Sequence, residues 1–111
     1  MDKLNQYREI IKALLHDYAQ YQPAVGDIEI EVIIDEEHDH YELIHTGWHE
    51  AYRIHGSVIH IDIRHQKIWI QYDGTEGGIA NELVEAGIPH DQIVLAFKHP
   101  HIRPHTDFAT H

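Results

Sequence analysis

The most constraining feature of the chain is a series of period-two runs between residues 27 and 72. In DIEIEVIID, Ile28, Ile30, Val32 and Ile34 alternate with Glu29, Glu31 and Asp35, the pattern of a strand with one buried face. DHYELIHTG then places Tyr41 and Leu43 on one face. From Tyr52 to Arg64, Ile59, Ile61 and Ile63 share one face while Val58, His60, Asp62 and Arg64 share the other. KIWIQY sets Ile68, Ile70 and Tyr72 against Trp69 and Gln71. The connections are short: the polar cluster Glu36-Glu37-His38, a loop near Gly47-Trp48-His49-Glu50, and His65-Gln66. Parallel strands need long crossovers, so these runs predict a four-stranded antiparallel meander. Ile54 falls on the parity opposite to Ile59, which predicts a bulge near Gly56.

A sheet with one apolar face must be covered, and two helical patterns are available. Across the first 22 residues Leu4, Tyr7, Ile11, Leu14, Tyr18 and Tyr21 recur at spacings of three and four, flanked by Ile10 and Leu15, until Pro23 and Gly26 end the pattern. The stripe also fits a short coiled-coil seam, but packing on the sheet accounts for it equally. After Asp73-Gly74, Thr75 is the expected N-cap of a second helix, with Glu76 in its first turn and Ile79, Leu83 and Ala86 facing inward. Gly87, Ile88 and Pro89 read as a Schellman stop, with Ile88 folding back towards Leu83. Ile93 to Phe97 reads as a short last strand, followed by a tail of little periodicity. The expectation is one α+β domain over residues 1–111: helix, four-stranded meander, helix, short strand and tail.

Charge narrows the function. Eight Lys and Arg stand against 19 Asp and Glu, a net charge of −11. From Ala13 to Tyr52 there is no Lys or Arg, while Asp17, Asp27, Glu29, Glu31, Asp35, Glu36, Glu37, Asp39, Glu42 and Glu50 all fall there. Affinity for nucleic acid comes largely from Lys and Arg displacing counterions, so direct, tight DNA binding is not expected. A flank of this sign suits a basic protein partner, although it also serves solubility. Thirteen histidines would take the net charge from −11 to +2 if all were protonated, so mild acid should weaken a charge-driven partnership. There is no cysteine and no continuous apolar run of membrane-spanning length, which makes a cytoplasmic protein the expectation.

Motifs for chemistry are sparse. His60 and Asp62 are two apart on a strand, so imidazole and carboxylate share a face, either as a polar pair or as part of a metal or acid/base site. Two ligands are too few for a catalytic zinc site, so neither a metal nor a cofactor is expected. His38 and His40 flank Asp39 in a turn, and His99, His101, His105 and His111 crowd the tail without a standard metal spacing. Ser57 is the only serine and lacks a nucleophile-elbow setting; no phosphate-binding or dinucleotide fingerprint occurs. Trp48 and Trp69 are candidates for interface anchors, or for packing against the core.

Several runs resemble a known family. RIHGSVIHIDI, KIWIQYDGTE and ELVEAGIP, within residues 47–97, are similar to the XisI family, the fdxN element excision controlling factors of cyanobacteria. MDKLNQYREIIKALLHDYA, DHYELIHTGW and HIRPHTDFA extend the resemblance over essentially the whole chain. The sequence departs from the usual pattern at His65-Gln66, where an Asp-Gly type turn is common, and in its histidine-rich tail after Phe97. The resemblance implies a role in programmed excision of a DNA element, in company with XisH, a second small protein of nuclease-like fold. It brings no catalytic residue with it.

The expected activity is therefore that of a non-enzymatic regulator acting through an XisH-like partner, with self-association into a homo-oligomer. Partner-binding candidates are Glu29, Glu31, Asp35, Glu36, Trp48 and Trp69; His60 and Asp62 are polar candidates on the sheet face. The alternative is a metal-dependent enzyme or nuclease component using His60 and Asp62.

Overall fold

The structure, a computed structural model, describes residues 2–23 and 26–111. In chain order it comprises α1 (Lys3–Tyr18), β1 (Asp27–Asp35), β2 (His40–His49), β3 (Tyr52–Arg64), β4 (Lys67–Asp73), α2 (Ile79–Glu85) and β5 (Ile93–Leu95), with 3₁₀ turns at His90–Gln92 and Arg103–His105. One sheet runs in the order β1-β2-β3-β4-β5. The first four strands form the expected antiparallel meander; β5 joins β4 in parallel, because α2 supplies the crossover that parallel pairing needs.

Both helices cover the same face. Tyr7, Ile11 and Leu15 of α1 and Ile79, Ala80 and Leu83 of α2 meet Tyr41, Leu43, Ile59, Ile61, Ile63, Ile68, Ile70, Ile93 and Leu95 of the sheet in one core. Among the described residues no α-helix lies on the outer face. At one corner the tail folds back: Ala109 bridges Val94 beside β5, and Arg103, over the ring of Trp69, gathers the carbonyls of Leu95, Ala96, Lys98 and Thr110. This covers Val94, which is fully buried.

Several elements depart from the pattern in the sequence. α1 ends at Tyr18 rather than near residue 22, so Tyr21 lies beyond it and is 74% exposed, while Leu15, read as a flank, is fully buried. β2 runs on through Trp48 to His49; the turn is Glu50-Ala51, which the left-handed backbone of Glu50 permits. Gly47 (φ +152) belongs to the β1–β2 ladder, where a side chain would meet Asp27 O at 1.9 Å. The bulge is at Val58, two residues beyond Gly56: Leu43 pairs with Ile59 and Ile44 with Ser57. Val58 and Ile59 both turn to the core, which absorbs the parity change seen at Ile54. A second irregularity leaves Gln71 unpaired between Ile70 and Tyr72, which sends Tyr72 to the outer face, half exposed, instead of continuing the Ile68–Ile70 row.

The second helix starts later than expected. Its first residue is Ile79, so Thr75 is not its N-cap and Glu76 precedes its first turn. Asp73 does the capping: one carboxylate oxygen accepts the Ile79 N–H at 2.8 Å, the other accepts from the Thr75 N–H and hydroxyl. Ala80, not Ala86, completes the inward face. The Schellman stop forms as read, with Ile88 N–H on Leu83 O, Gly87 N–H on Val84 O, and Gly87 at φ +112.

Candidate functional site

The candidate residues separate into two regions. Among the described residues β1 pairs only with β2, so its other side is a free sheet edge. Glu29 and Glu31 are exposed there, and among the described residues no ion pair engages either. Asp27 pairs with Trp48, and Trp48 with Arg53, so these residues stand in a row across β1, β2 and β3. Together with Glu29 they line a shallow groove. Trp48 is 50% exposed, with the Arg53 guanidinium 5.4 Å from its ring centre. Asp27, Glu29 and Trp48 thus share one corner of the sheet, and Glu31 stands two residues further along the same face of β1.

The other partner-binding candidates lie elsewhere and are engaged. At the far end of β1, Asp35 accepts from the backbone N–H of His38 and lies 2.9 Å from its Nδ1. That hydrogen bond, above all, holds the Asp35 carboxyl below the usual range. Glu36 pairs with Lys12 of α1 at 2.5 Å. Trp69 sits on the outer face, donating its indole N–H to Arg64 O, with Arg103 over its ring.

The second region is centred on Asp62, which is 2% exposed. Its Oδ1 lies 2.7 Å from His40 Nδ1 and 3.0 Å from His60 Nε2, while Oδ2 accepts from Gln71 Nε2 at 3.3 Å. Arg64 approaches Oδ2 at 3.8 Å. His60 and Asp62 share a face of β3, as the spacing predicts. The hydrogen bond to Asp62 pushes the His40 imidazole above its ordinary value, assisted by the carboxylate's charge.

His40 was missed as a member of this group; in sequence it belongs with His38. Counting outward from the Glu50-Ala51 turn, an unbroken hairpin would set His40 opposite Ile61 rather than Asp62. The extra residue at Val58 shifts the register by one and sets His40 opposite Asp62. The opposite parities of Ile54 and Ile59 were the available signal, but only the bulge's position relative to His40 makes the pairing.

Comparison with known proteins covers the whole chain. The model of the family described as XisI protein matches residues 1–110. A XisI-like protein from Anabaena variabilis, known from a crystal structure, is 40% identical over 96% of this chain and 98% of its own, with a TM-score of 0.90. The fdxN element excision controlling factor XisI from the same organism is 34% identical over 99% of this chain and all of its own, with a TM-score of 0.86. No curated protein matches. Match, identity and shared architecture agree along the full length: the chain belongs to the XisI family.

Proposed function

We propose that this chain is a non-enzymatic accessory factor that influences excision of a DNA element by binding a basic protein of the XisH type through the β1 edge. The observation that carries the reading is the coincidence of a free strand edge with unpaired Glu29 and Glu31 and the exposed Trp48. A free edge offers backbone hydrogen bonds to an incoming segment, and its side chains select the charge of that segment. Two copies of β1 laid edge to edge would oppose Glu29 and Glu31 against their equals, so the edge repels a second copy and attracts a Lys/Arg-bearing surface. Trp48 supplies the desolvated aromatic anchor that such an interface requires. Occupation of a basic face on a nuclease-fold partner would compete with DNA for that face, which gives the family's excision-controlling name a physical meaning.

The test is to co-express this chain with an XisH-like protein, purify through a tag on the partner and wash at graded salt. A complex that survives at low salt and dissociates as salt rises is expected. Failure to co-purify at about 50 mM salt, where surface charges act over more than 10 Å, would overturn the reading.

A further inference from the structure

The Asp62 cluster lies outside the acidic edge and is not used by the proposed partner contact. One ring nitrogen each of His40 and His60 and a carboxylate oxygen of Asp62 all lie within 4.8 Å of one another. The sequence alone offered two ligands, too few for a site; the Val58 bulge brings the third across from β2. We propose that His40, His60 and Asp62 form a binding site for a borderline divalent cation of the Zn²⁺ class, on the outer face of the sheet.

The geometry suits this cation. Bonds of about 2.0–2.1 Å in a tetrahedral site place neighbouring ligand atoms about 3.4 Å apart. The two imidazole nitrogens stand 2.7 and 3.0 Å from the Asp62 oxygen and within 4.8 Å of each other, so an ion enters once the contacts to Asp62 open by roughly half an ångström and the nitrogens settle at the tetrahedral spacing. Two imidazoles and one carboxylate favour zinc and its neighbours, whereas Mg²⁺ and Ca²⁺ prefer oxygen alone. Asp62 is the buried anchor. Gln71, donating to its second oxygen, fixes the carboxylate's orientation as an outer partner of a ligand does. His40 and His60 are more accessible, and three protein ligands leave a fourth position for water.

The surrounding charges favour a cation. Asp35 is the register partner of His40 and Glu42 that of His60. Arg64 opposes them, but it stands nearer to the oxygen that faces Gln71 than to the one shared by the histidines. To bind, each imidazole must present a lone pair at the nitrogen now facing Asp62. A neutral ring does so by moving its proton to its other nitrogen, with none released, whereas a protonated ring gives up one proton to solvent; the ion therefore competes with protons for these rings and binds more weakly in mild acid.

The experiment is a titration of the tag-free full chain with ZnCl₂ at pH 7.5, followed by calorimetry and by competition with a chromogenic chelator. One zinc per chain is expected. His40→Ala and His60→Ala should each weaken it by about tenfold or more, on the scale of losing or misplacing a ligand. Both side chains are accessible enough that the fold should persist, which circular dichroism checks. A His99→Ala/His101→Ala variant should bind as the parent does. Absence of stoichiometric uptake would overturn the proposal. So would zinc binding that persists in the His40 and His60 variants and disappears in the tail variant.

Discussion

Arg8 of α1 holds Asp39 with both arms of its guanidinium: Nε to Oδ1 at 2.8 Å and an Nη to Oδ2 at 3.1 Å. Asp39 is the last residue before β2 and sits in the left-handed region at φ +57. The same carboxylate accepts the Tyr41 hydroxyl at 2.8 Å, and its backbone carbonyl accepts the Ile63 N–H at 3.0 Å. One residue therefore ties the helix, the β1–β2 turn and β3 together. Arg8→Ala is expected to cost about 1–2 kcal/mol, since the paired forks are partly sheltered from water. Asp39→Ala should cost more, because it also strands the Tyr41 hydroxyl and keeps the unfavourable φ. Urea unfolding of both single variants and the double variant would measure the coupling; additive losses would show that the pair contributes nothing of its own.

The start of α2 gives a second expectation, one that separates structure from sequence. Asp73 accepts from the first N–H of the helix and from Thr75, whereas Thr75 caps nothing. Asp73→Ala should cost about 1–2 kcal/mol, the usual range for losing a cap. Thr75→Ala should cost roughly half of that or less, since the Asp73–Ile79 bond survives it. Thermal unfolding ranks the two, and a larger loss at Thr75 would contradict the geometry.

These two sites show what was legible in advance. Alternation alone located all four meander strands, because apolar residues at every second position, Ile and Val in β1, β3 and β4 and Tyr41 and Leu43 in β2, can face only one way. The Gly87-Ile88 stop was equally plain, since it is a local hydrogen-bond pattern. Positions that depend on an extra residue were not legible. The Val58 bulge decides whether Ile61 or Asp62 stands opposite His40, and the Gln71 irregularity decides where Tyr72 points. Bulges are stabilised by tertiary packing rather than by local propensity, so a pattern reading can sense them without placing them. Asp73 was overlooked as a cap for a related reason: its bond to Ile79 spans six residues, beyond the standard capping frame.

The contact between the two helices predicts a pH effect on the alkaline side. The Tyr18 hydroxyl donates to Glu82 of α2, and burial, followed by that bond, pushes the phenol up to about 12. An unfolded tyrosine ionises near pH 10. The native state therefore keeps its proton over a range where the unfolded chain loses it, and the resulting stability is full below about pH 10 and lost as the pH passes about 12. Tyr41 is pushed the same way, by burial and then by Asp39, so it acts on the same limb. Tyr18→Phe should be less stable than the parent at pH 8, and the gap should narrow by pH 11 and beyond. A gap that stays constant across this range, by urea unfolding, would remove Tyr18 from the account.

The acidic edge makes the sharpest distinction between charge that stabilises the fold and charge left free for a partner. Glu36 is paired with Lys12, so Glu36→Lys should lower stability by up to about 1 kcal/mol, the scale of a surface ion pair, through repulsion at the α1 contact. Glu29 and Glu31 are exposed and unpaired on an edge strand, so Glu29→Lys/Glu31→Lys should leave the melting temperature nearly unchanged. If the β1 edge receives a basic partner, that double reversal should weaken the complex by about tenfold or more at low salt, and the difference should shrink as salt rises. Slower association should account for much of the loss, because charge steers encounter. Surface plasmon resonance at two salt concentrations reads both quantities. Equal binding by the parent and the doubly reversed chain would move the partner surface away from β1.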